Sequence, residues 1–345
     1  MRVLALTGGG SAGHVVPNLA LLPALKDRFA PCYIGTGGIE KKLLAGKGVP
    51  FYEIDCPKLV RGAILPNLSI PCRLLHAVRA AKKALRASGA AAVFSKGGYV
   101  SLPVVLAARS LGIPAITHES DLTPGLANKL ISRRCARVLT AFPETARAFP
   151  RGMYVGSPVR EELFDGDRAA ALAKYGFSGK KPVLLAFGGG SGSAALNEAL
   201  LGALPALTAR FDVLLLAGKE LSAEGCVCLP FEREMSLAYA CADFVLARAG
   251  ANTLFEILAL RKRALVVPLE NKRSRGDQVQ NAEYFARAGL IHVLREKELS
   301  PASLQEALFA LERDGDLTAR LAECPRERAA EKIVRIIEEA CAQNK

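Results

Sequence analysis

The same short pattern occurs twice in this 345-residue chain, and the two copies begin about 180 residues apart. Each copy, at residues 2–14 and 182–193, is an apolar strand-like run, a loop with three consecutive glycines and the start of a helix-like segment. Consecutive glycines let the backbone approach a ligand closely, and a helix start offers N–H groups to an anion. Strand-like and helix-like runs alternate throughout, which predicts α/β domains with parallel sheets. The repeated pattern therefore predicts two Rossmann-like domains.

The boundary is predicted at residue 157, giving domains of 1–157 and 158–345. Gly156, Ser157 and Pro158 form a turn-prone cluster there. The charge balance changes at the same place, because residues 1–160 hold 22 Lys and Arg against 7 Asp and Glu, whereas 161–345 hold 24 against 26. The last helical stretch, about 326–341, is compatible with packing on either domain.

The positive first half predicts an anionic partner, either nucleic acid or an anionic membrane surface. The absence of tryptophan, the few aromatic residues and the lack of a recognition motif argue against nucleic acid. The longest near-apolar run, 99–108, is too short to span a bilayer. A strand-like run directly after Arg2 argues against a signal peptide, and the nine scattered cysteines fit a reducing compartment. These features predict a cytoplasmic chain.

A helix-like segment within 67–86 has one apolar and one basic face. The apolar positions are Leu74, Leu75, Val78 and Leu85, and the basic positions are Arg79, Lys82, Lys83 and Arg86. One interpretation is an ordinary surface helix with a solvated basic face. The other is a helix that lies on anionic lipid, with Leu68 and Ile70 entering the interface.

The first glycine loop matches the dinucleotide fingerprint G-x-G-x-x-G at Gly8, Gly10 and Gly13. That site also needs an acid about 20 residues further on, at the end of the second strand. The nearest acid, Glu40, lies past a Gly-Gly turn, which argues against NAD or FAD. His14 ends the loop, where an imidazole can act as a base or bind phosphate or sugar. Pro17 is expected to open the following helix.

Further polar residues follow other strand-like runs. Ser95 to Tyr99 reads SKGGY, and His118-Glu119 ends the next strand, where the pair is either catalytic or structural. Asp165-Gly-Asp167 resembles a metal-binding motif, but its place before a helix predicts a capping role, so no metal is assigned. Cys226 and Cys228 lack further nearby ligands and are expected to be thiols.

Residues 243–278 predict a nucleotide site. A strand at 244–246 runs into a glycine turn and a helix that starts near Ala251. The helix start suits a phosphate, and Glu256, expected in or near its first turn, suits ribose hydroxyls. Gln278 follows a second strand, in a polar loop.

Together the motifs resemble the MurG family, the peptidoglycan lipid-intermediate N-acetylglucosaminyltransferases. The resemblance rests on GGGSAGHVVPNLAL, SKGGYVSLP, THESDLTPGLANK, VGSPVR, RAGANTLFEIL and SRGDQVQNA, together with the second glycine loop. It implies a GT-B fold, with two Rossmann-like domains whose parallel sheets face a cleft. It also implies transfer of N-acetylglucosamine (GlcNAc) from UDP-GlcNAc to undecaprenyl-linked lipid I, without a cofactor, by a peripheral enzyme on the cytoplasmic face of the cell membrane.

The resemblance also implies roles for individual residues. The catalytic candidates are His14 and Glu119. The donor-binding candidates are Ser11, Ala12, Gly13, Asp121, Asn128, Arg160, Gly190, Ser191, Ala251, Asn252, Thr253, Leu254, Phe255, Glu256 and Gln278. The acceptor-binding candidates are His14, Tyr99, His118 and Glu119.

Two positions depart from the family pattern. Ser120-Asp121 stands where many members have Gln-Asn, so an amide contact to the donor is replaced by a carboxylate or lost. Gly190 stands where members usually have serine, so Ser191 or backbone N–H groups would bind the diphosphate. The alternatives to a transferase are a UDP-GlcNAc 2-epimerase of the same fold, a dinucleotide-dependent oxidoreductase and a non-catalytic sugar-nucleotide-binding protein.

Overall fold

The computed structural model describes residues 1–58, 69–190, 192–270, 275–325 and 328–343. The chain divides into two units, Met1–Arg160 with Glu327–Lys345, and Glu161–Arg326. The first unit thus continues three residues past the predicted boundary, and the last helix, which the sequence left open, belongs to it. Both units contain a parallel sheet, so the α/β fold class is confirmed.

The first unit has a seven-stranded sheet. Strands β1 to β7 span Arg2–Thr7, Phe29–Gly35, Phe51–Glu53, Ala90–Ser95, Ala115–Glu119, Arg137–Thr140 and Gly152–Tyr154. Helices α1 to α7 span Ala12–Leu19, Leu22–Leu25, Ile39–Leu44, Ile70–Ser88, Ser101–Ser110, Leu126–Ile131 and Pro143–Ala146. The order β3-β2-β1-β4-β5-β6-β7 reverses direction between β1 and β4. Such a switch point opens a crevice at the carboxyl ends of the strands, which is where α/β proteins bind ligands.

The second unit repeats this plan with six strands. Strands β8 to β13 span Val183–Phe187, Asp212–Leu216, Cys226–Leu229, Phe244–Ala247, Arg263–Val266 and His292–Val293. Helices α8 to α14 span Arg168–Tyr175, Ala194–Leu207, Met235–Cys241, Ala251–Ala259, Asp277–Arg287, Pro301–Arg313 and Leu317–Glu323. The order β10-β9-β8-β11-β12-β13 places its switch point between β8 and β11. The second glycine loop and the loop before α11 therefore lie side by side.

Helix α15, Ala329–Ala342, packs on the first sheet. Its buried residues Ile333, Val334 and Ile337 recur at helical spacing and join the cluster that contains Leu4 and Leu6 of β1. This apolar stripe explains why the chain returns to the first unit after completing the second. Asp167 caps α8 as predicted, because its side chain accepts the Ala170 N–H.

One helix prediction was wrong. Helix α1 begins at Ala12 with Ser11 as N-cap, so Pro17 lies inside the helix and does not open it. Glycines at positive φ at Gly8 and Gly10 already complete the turn that starts the helix. On α4 the buried residues are Ala77, Ala81, Ala84 and Leu85, because small side chains let this helix approach the sheet closely.

Leu75, which belongs to the predicted apolar face of α4, is 50% exposed. Ile70, Leu74 and Val78 are half-buried, and Leu68 lies outside the described residues. The basic residues line a depression of about 560 Å³ with Ala87; they are Arg79, Lys82, Lys83 and Arg86. Among the described residues, no helix is both long and apolar enough to cross a membrane.

Candidate active site

In the first unit, the glycine loop after β1 packs against the glycine loop after β4. A Cβ added to Gly98 would lie 2.6 Å from the Gly9 carbonyl oxygen and 3.0 Å from Cδ2 of His14. A Cβ added to Gly10 would lie 2.5 Å from the Tyr99 ring. Such distances are far below van der Waals contact, so glycine at positions 10 and 98 is what lets His14 and Tyr99 approach the opposite loop.

His14 is half-buried, and its Nδ1 lies 3.0 Å from the carbonyl oxygen of Lys96. A carbonyl only accepts hydrogen bonds, so the proton of the neutral ring is assigned to Nδ1. The lone pair of the imidazole then lies on Nε2. In this tautomer Nε2 is the ring nitrogen that can accept a proton, as a general base does.

Three buried side chains support the first glycine loop from beneath. Glu40 is 1% exposed and accepts the Gly10 N–H at 3.2 Å. The Asn18 amide donates to the carbonyl oxygen of His14 at 3.3 Å, and the Tyr33 hydroxyl donates to that of Gly8. The acid whose position argued against a dinucleotide site thus holds the loop in shape.

Lys96 was quoted in a motif but given no role, and its side chain is 2% exposed. Its ammonium donates to Nδ1 of His118 at 2.6 Å and to Oγ of Ser120 at 2.7 Å. Burial lowers the pKa of Lys96 to about 7, while the charges of Glu119 and Asp121 raise it. A lysine buried to this extent is unusual, and its ammonium needs hydrogen-bond partners to offset the cost of removing it from water.

His118 is fully buried and lies between Lys96 and the backbone. Its Nε2 donates to the carbonyl oxygen of Gly156 at 2.8 Å. Burial and the neighbouring Lys96 hold the pKa of His118 well below its ordinary value, so the ring is neutral. His118 therefore connects two loops and presents no exposed surface to an acceptor.

Glu119 is 4% exposed and its carboxylate organises the loop that follows β5. It accepts the N–H groups of Asp121 at 3.1 Å and Gly125 at 2.7 Å. It also accepts the Asn128 amide at 2.9 Å. Asn128, itself 3% exposed, donates further to the His118 carbonyl oxygen and accepts from Thr117. Both side chains have clear structural roles, which leaves His14 as the better placed base.

The remaining candidates of the first unit lie at loop ends. Ser11 and Gly13 are exposed, and Ala12 is half-buried, at the start of α1. Asp121 and Arg160 are half-buried, and Arg160 is the last residue before the second unit. Their donor contacts remain predictions.

In the second unit, a depression of about 350 Å³ lies at the switch point. It is lined by Gly188, Gly192, Ser193, Ala194, Ala195, Arg248, Leu269, Gln278 and Glu296. The glycine loop bends sharply here, since a Cβ on Gly192 would lie 2.3 Å from the Ala217 carbonyl oxygen. Gly190 is exposed, and Ser191 lies outside the described residues.

Arg248 is the central charged group of this depression, although the sequence prediction gave it no role. It directly follows the buried strand β11 and is only 8% exposed. Its guanidinium donates to Oγ of Ser193 at 3.1 and 2.7 Å, to the Val267 carbonyl oxygen at 3.2 Å and to the Glu296 carboxylate at 2.5 Å. A charged residue directly after an apolar strand-like run was the sequence signal that could have identified Arg248.

The helix predicted for the nucleotide begins at Ala251, with Gly250 as N-cap. A Cβ on Gly250 would meet no atom within 4 Å, so the helix start borders open space. Ala251 and Leu254 are buried, whereas Asn252, Thr253 and Phe255 are half-buried. Glu256 lies in the second turn, not the first, and is 8% exposed, and its carboxylate accepts the Tyr239 hydroxyl at 3.3 Å.

Gln278 is the second residue of α12, not part of a loop. Its Oε1 accepts the Leu269 N–H at 3.0 Å, which fixes the side chain at the wall of the depression. Gln278, Ser193 and Arg248 are therefore brought together in one place.

Comparison with known proteins shows which family has this architecture. Residues 4–140 match the glycosyltransferase family 28 N-terminal domain and residues 183–339 match the family 28 C-terminal domain. A protein of Lachnospira eligens is 44% identical over 325 residues, covering 91% of this chain and 92% of that protein. A protein of Lachnoclostridium phytofermentans is 41% identical over 356 residues, covering 98% and 99%.

Both relatives are named UDP-N-acetylglucosamine–N-acetylmuramyl-(pentapeptide) pyrophosphoryl-undecaprenol N-acetylglucosamine transferase. The crystal structure of Acinetobacter baumannii MurG superposes with a TM-score of 0.77 at 27% identity, covering 98% of this chain and 100% of that one. A kitacinnamycin glycosyltransferase, at 16% identity, has a TM-score of 0.75, covers 99% of each chain and shows the shared fold alone. The chain belongs to the MurG family of glycosyltransferase family 28.

Proposed function

We propose that this chain transfers GlcNAc from UDP-GlcNAc to the 4-hydroxyl of the muramoyl sugar of undecaprenyl-pyrophosphoryl-MurNAc-pentapeptide, lipid I. The product would be lipid II, a precursor of peptidoglycan. The observation that carries the proposal is the 44% identity, over 91% of the chain, to a transferase named for this reaction. The Ser193–Arg248–Gln278 group of the second unit and the His14 loop of the first offer the chemistry that the reaction needs.

The proposed reaction is a single displacement. Nε2 of His14 takes the proton of the acceptor hydroxyl while that oxygen bonds to the anomeric carbon of GlcNAc. The bond from the anomeric carbon to the UDP oxygen breaks, and its electron pair leaves with UDP. Attack from the side opposite UDP inverts the α-linked donor to a β-1,4 product.

The departing diphosphate needs positive potential, which the second unit can supply without a metal. Helices α9 and α11 both begin at the switch point, and the N-terminal end of a helix carries positive potential suited to an anion. The buried Arg248 adds a guanidinium, paired with Glu296 and Ser193, whose planar geometry also suits phosphate oxygens. Preorganised charge of this kind stabilises a leaving group without rearrangement during the reaction.

Gly190 stands where family members usually have a serine, and Ser193 supplies the hydroxyl group in its place. Its hydroxyl caps α9 and accepts two hydrogen bonds from Arg248, so it lies at the helix start with a fixed orientation. We assign the hydroxyl contact to the diphosphate to Ser193 and the sugar contact to Gln278. Glu256 would accept hydrogen bonds from the ribose after its bond to Tyr239 opens or is shared.

The test of the proposal is incubation with labelled UDP-GlcNAc, with and without a lipid I analogue. UDP release that requires the analogue is the expected result. Formation of UDP-ManNAc without it would instead identify a 2-epimerase. Binding of UDP-GlcNAc without turnover in either mixture would identify a sugar-nucleotide-binding protein.

The basic face of α4 supports the further proposal of peripheral attachment to the anionic cytoplasmic membrane surface. Its basic side chains lie on one depression, beside the exposed Leu75. Each basic residue near anionic lipid contributes about 1 kcal/mol. A membrane surface is also where an undecaprenyl-linked acceptor would be found.

Reversal of the four basic residues should release the protein from vesicles. The variant changes Arg79, Lys82, Lys83 and Arg86 to Glu, and we expect binding to weaken by at least about 4 kcal/mol. Co-sedimentation with phosphatidylglycerol-rich vesicles measures the effect. The control variant changes four exposed basic residues of the second unit to Glu, so that its net charge equals that of the α4 variant. These residues are Lys180, Lys181, Arg287 and Arg313. Equal loss in both variants, or no loss in the first, would contradict a specific role for α4.

A further inference from the structure

Lys96, directly after β4, is bonded both to the end of β5 and to the start of α1. Its ammonium donates to His118 near the end of β5 and to Ser120 just after it, while its carbonyl oxygen accepts from Nδ1 of His14 in the first turn of α1. His118 in turn donates to the carbonyl oxygen of Gly156. One residue thus contributes both the buried anchor and the carbonyl that sets the His14 tautomer.

The loop that carries this carbonyl is not rigid by its own sequence. Gly97 and Gly98 follow Lys96 with φ of 77° and 80°, which are left-handed conformations. Glycine has the greatest backbone freedom of any residue, so fixing two in succession is entropically costly. The peptide between Lys96 and Gly97 is held on its N–H side by Ser95, whose Oγ accepts the Gly97 N–H at 3.1 Å, and the bond of the Lys96 ammonium to His118 adds an attachment next to its carbonyl. The Lys96 N–H adds a bond to the Thr7 carbonyl oxygen at 2.9 Å.

We propose that Lys96 is a positioning residue of the transfer reaction, because its buried ammonium holds the carbonyl that keeps the proton of His14 on Nδ1 and the lone pair on Nε2. The inference rests on the proposed role of His14 as the base. It assigns a catalytic consequence to a side chain that is almost fully buried. The alternative is that Lys96 only stabilises the fold.

The charged groups around Lys96 are consistent with this role. His118 faces it as a neutral acceptor, and the carboxylates of Glu119 and Asp121 favour its charged form. Asp121, one of the departures from the family pattern, thus provides negative potential toward a buried lysine. A methionine at position 96 would keep an unbranched side chain, one heavy atom shorter, and would remove every side-chain donor.

The experiment compares the wild type with Lys96→Met by kinetics and by ¹⁵N NMR of the imidazole rings. The chain has four histidines, so His14 is assigned by its loss in His14→Ala. We expect the wild-type His14 as the Nδ1–H tautomer. In Lys96→Met the Nε2–H form should grow and kcat should fall roughly tenfold to hundredfold, the scale of a misplaced catalytic group. KM for UDP-GlcNAc should stay near that of the wild type.

Controls keep the outcomes separate. Lys180→Met removes an exposed lysine and should change neither kcat nor the tautomer. If Lys96→Met fails to fold, Ser120→Ala, which removes one acceptor of the ammonium, should shift the tautomer in the same direction to a smaller extent. A wild-type His14 with its proton on Nε2 would overturn the inference, as would a loss of kcat in Lys96→Met without a change of tautomer. Unchanged kcat in His14→Ala would instead overturn the proposed base.

Discussion

His14→Ala should lower kcat by roughly 10²–10⁴-fold, the usual effect of losing a general base. The imidazole lies at the carboxyl end of β1, with Nδ1 bonded to the Lys96 carbonyl oxygen and the lone pair on Nε2. Alanine removes the proton acceptor but leaves the donor-binding residues of the second unit unchanged. KM for UDP-GlcNAc should therefore change little, and steady-state kinetics with a lipid I analogue measures both constants.

His292→Ala is the matched control for this prediction. His292 lies in the second unit and bonds to the Asp314 carboxylate at 2.9 Å, which helps to hold the pKa of Asp314 below its ordinary value. Losing this contact should reduce stability slightly and leave kcat near the wild-type value. A His14→Ala enzyme with near wild-type kcat would remove His14 from the mechanism. Glu119 would then have to be reconsidered, despite the three donors that its carboxylate already accepts.

Arg248→Met should raise KM for UDP-GlcNAc by roughly 10²-fold. A charge-assisted hydrogen bond contributes about 1.5–3 kcal/mol, and the guanidinium supplies such donors beside Ser193 in the depression of the second unit. The change also leaves Glu296 without its cationic partner, so the variant should be less stable. Isothermal titration with UDP measures the affinity without turnover, and thermal unfolding measures the stability.

Arg263→Met separates donor binding from stability. Arg263 belongs to the same unit and donates to the carbonyl oxygens of Leu311, Glu312 and Asp314. Its loss should lower the unfolding temperature while the affinity for UDP stays unchanged. Equal loss of UDP affinity in both variants would show that Arg248 acts only through the fold. In Ser193→Ala we expect a smaller loss of affinity, since Arg248 keeps its bonds to Glu296 and Val267.

The architecture was predictable because its signals are local. The two strand–glycine–helix copies predicted two α/β domains, and Asp167 predicted its own helix cap. The start of α1 was predicted too late, because Pro17 is a strong helix-start signal. In the structure the turn formed by Gly8 and Gly10 lets the helix begin at Ala12. Local patterns thus identified the elements more reliably than their ends.

The candidate site was only partly predictable, because strand order decides which loops meet. The placement of β4 beside β1 brings Lys96 to His14, and nothing in the residues between them specifies that pairing. Lys96 has the sequence signature of a solvated lysine, since its partners lie more than 20 residues away. Arg248 was missed in the same way, because Ser193 and Glu296 are 55 and 48 residues from it.

The anomeric configuration of the product tests the central claim most directly. A purified lipid I analogue is glycosylated with UDP-GlcNAc, and proton NMR then gives the configuration and the linkage of the new sugar. A single displacement with His14 as base predicts GlcNAc in β linkage to the 4-hydroxyl of the muramoyl sugar. An α linkage, or GlcNAc on another hydroxyl, would contradict this account.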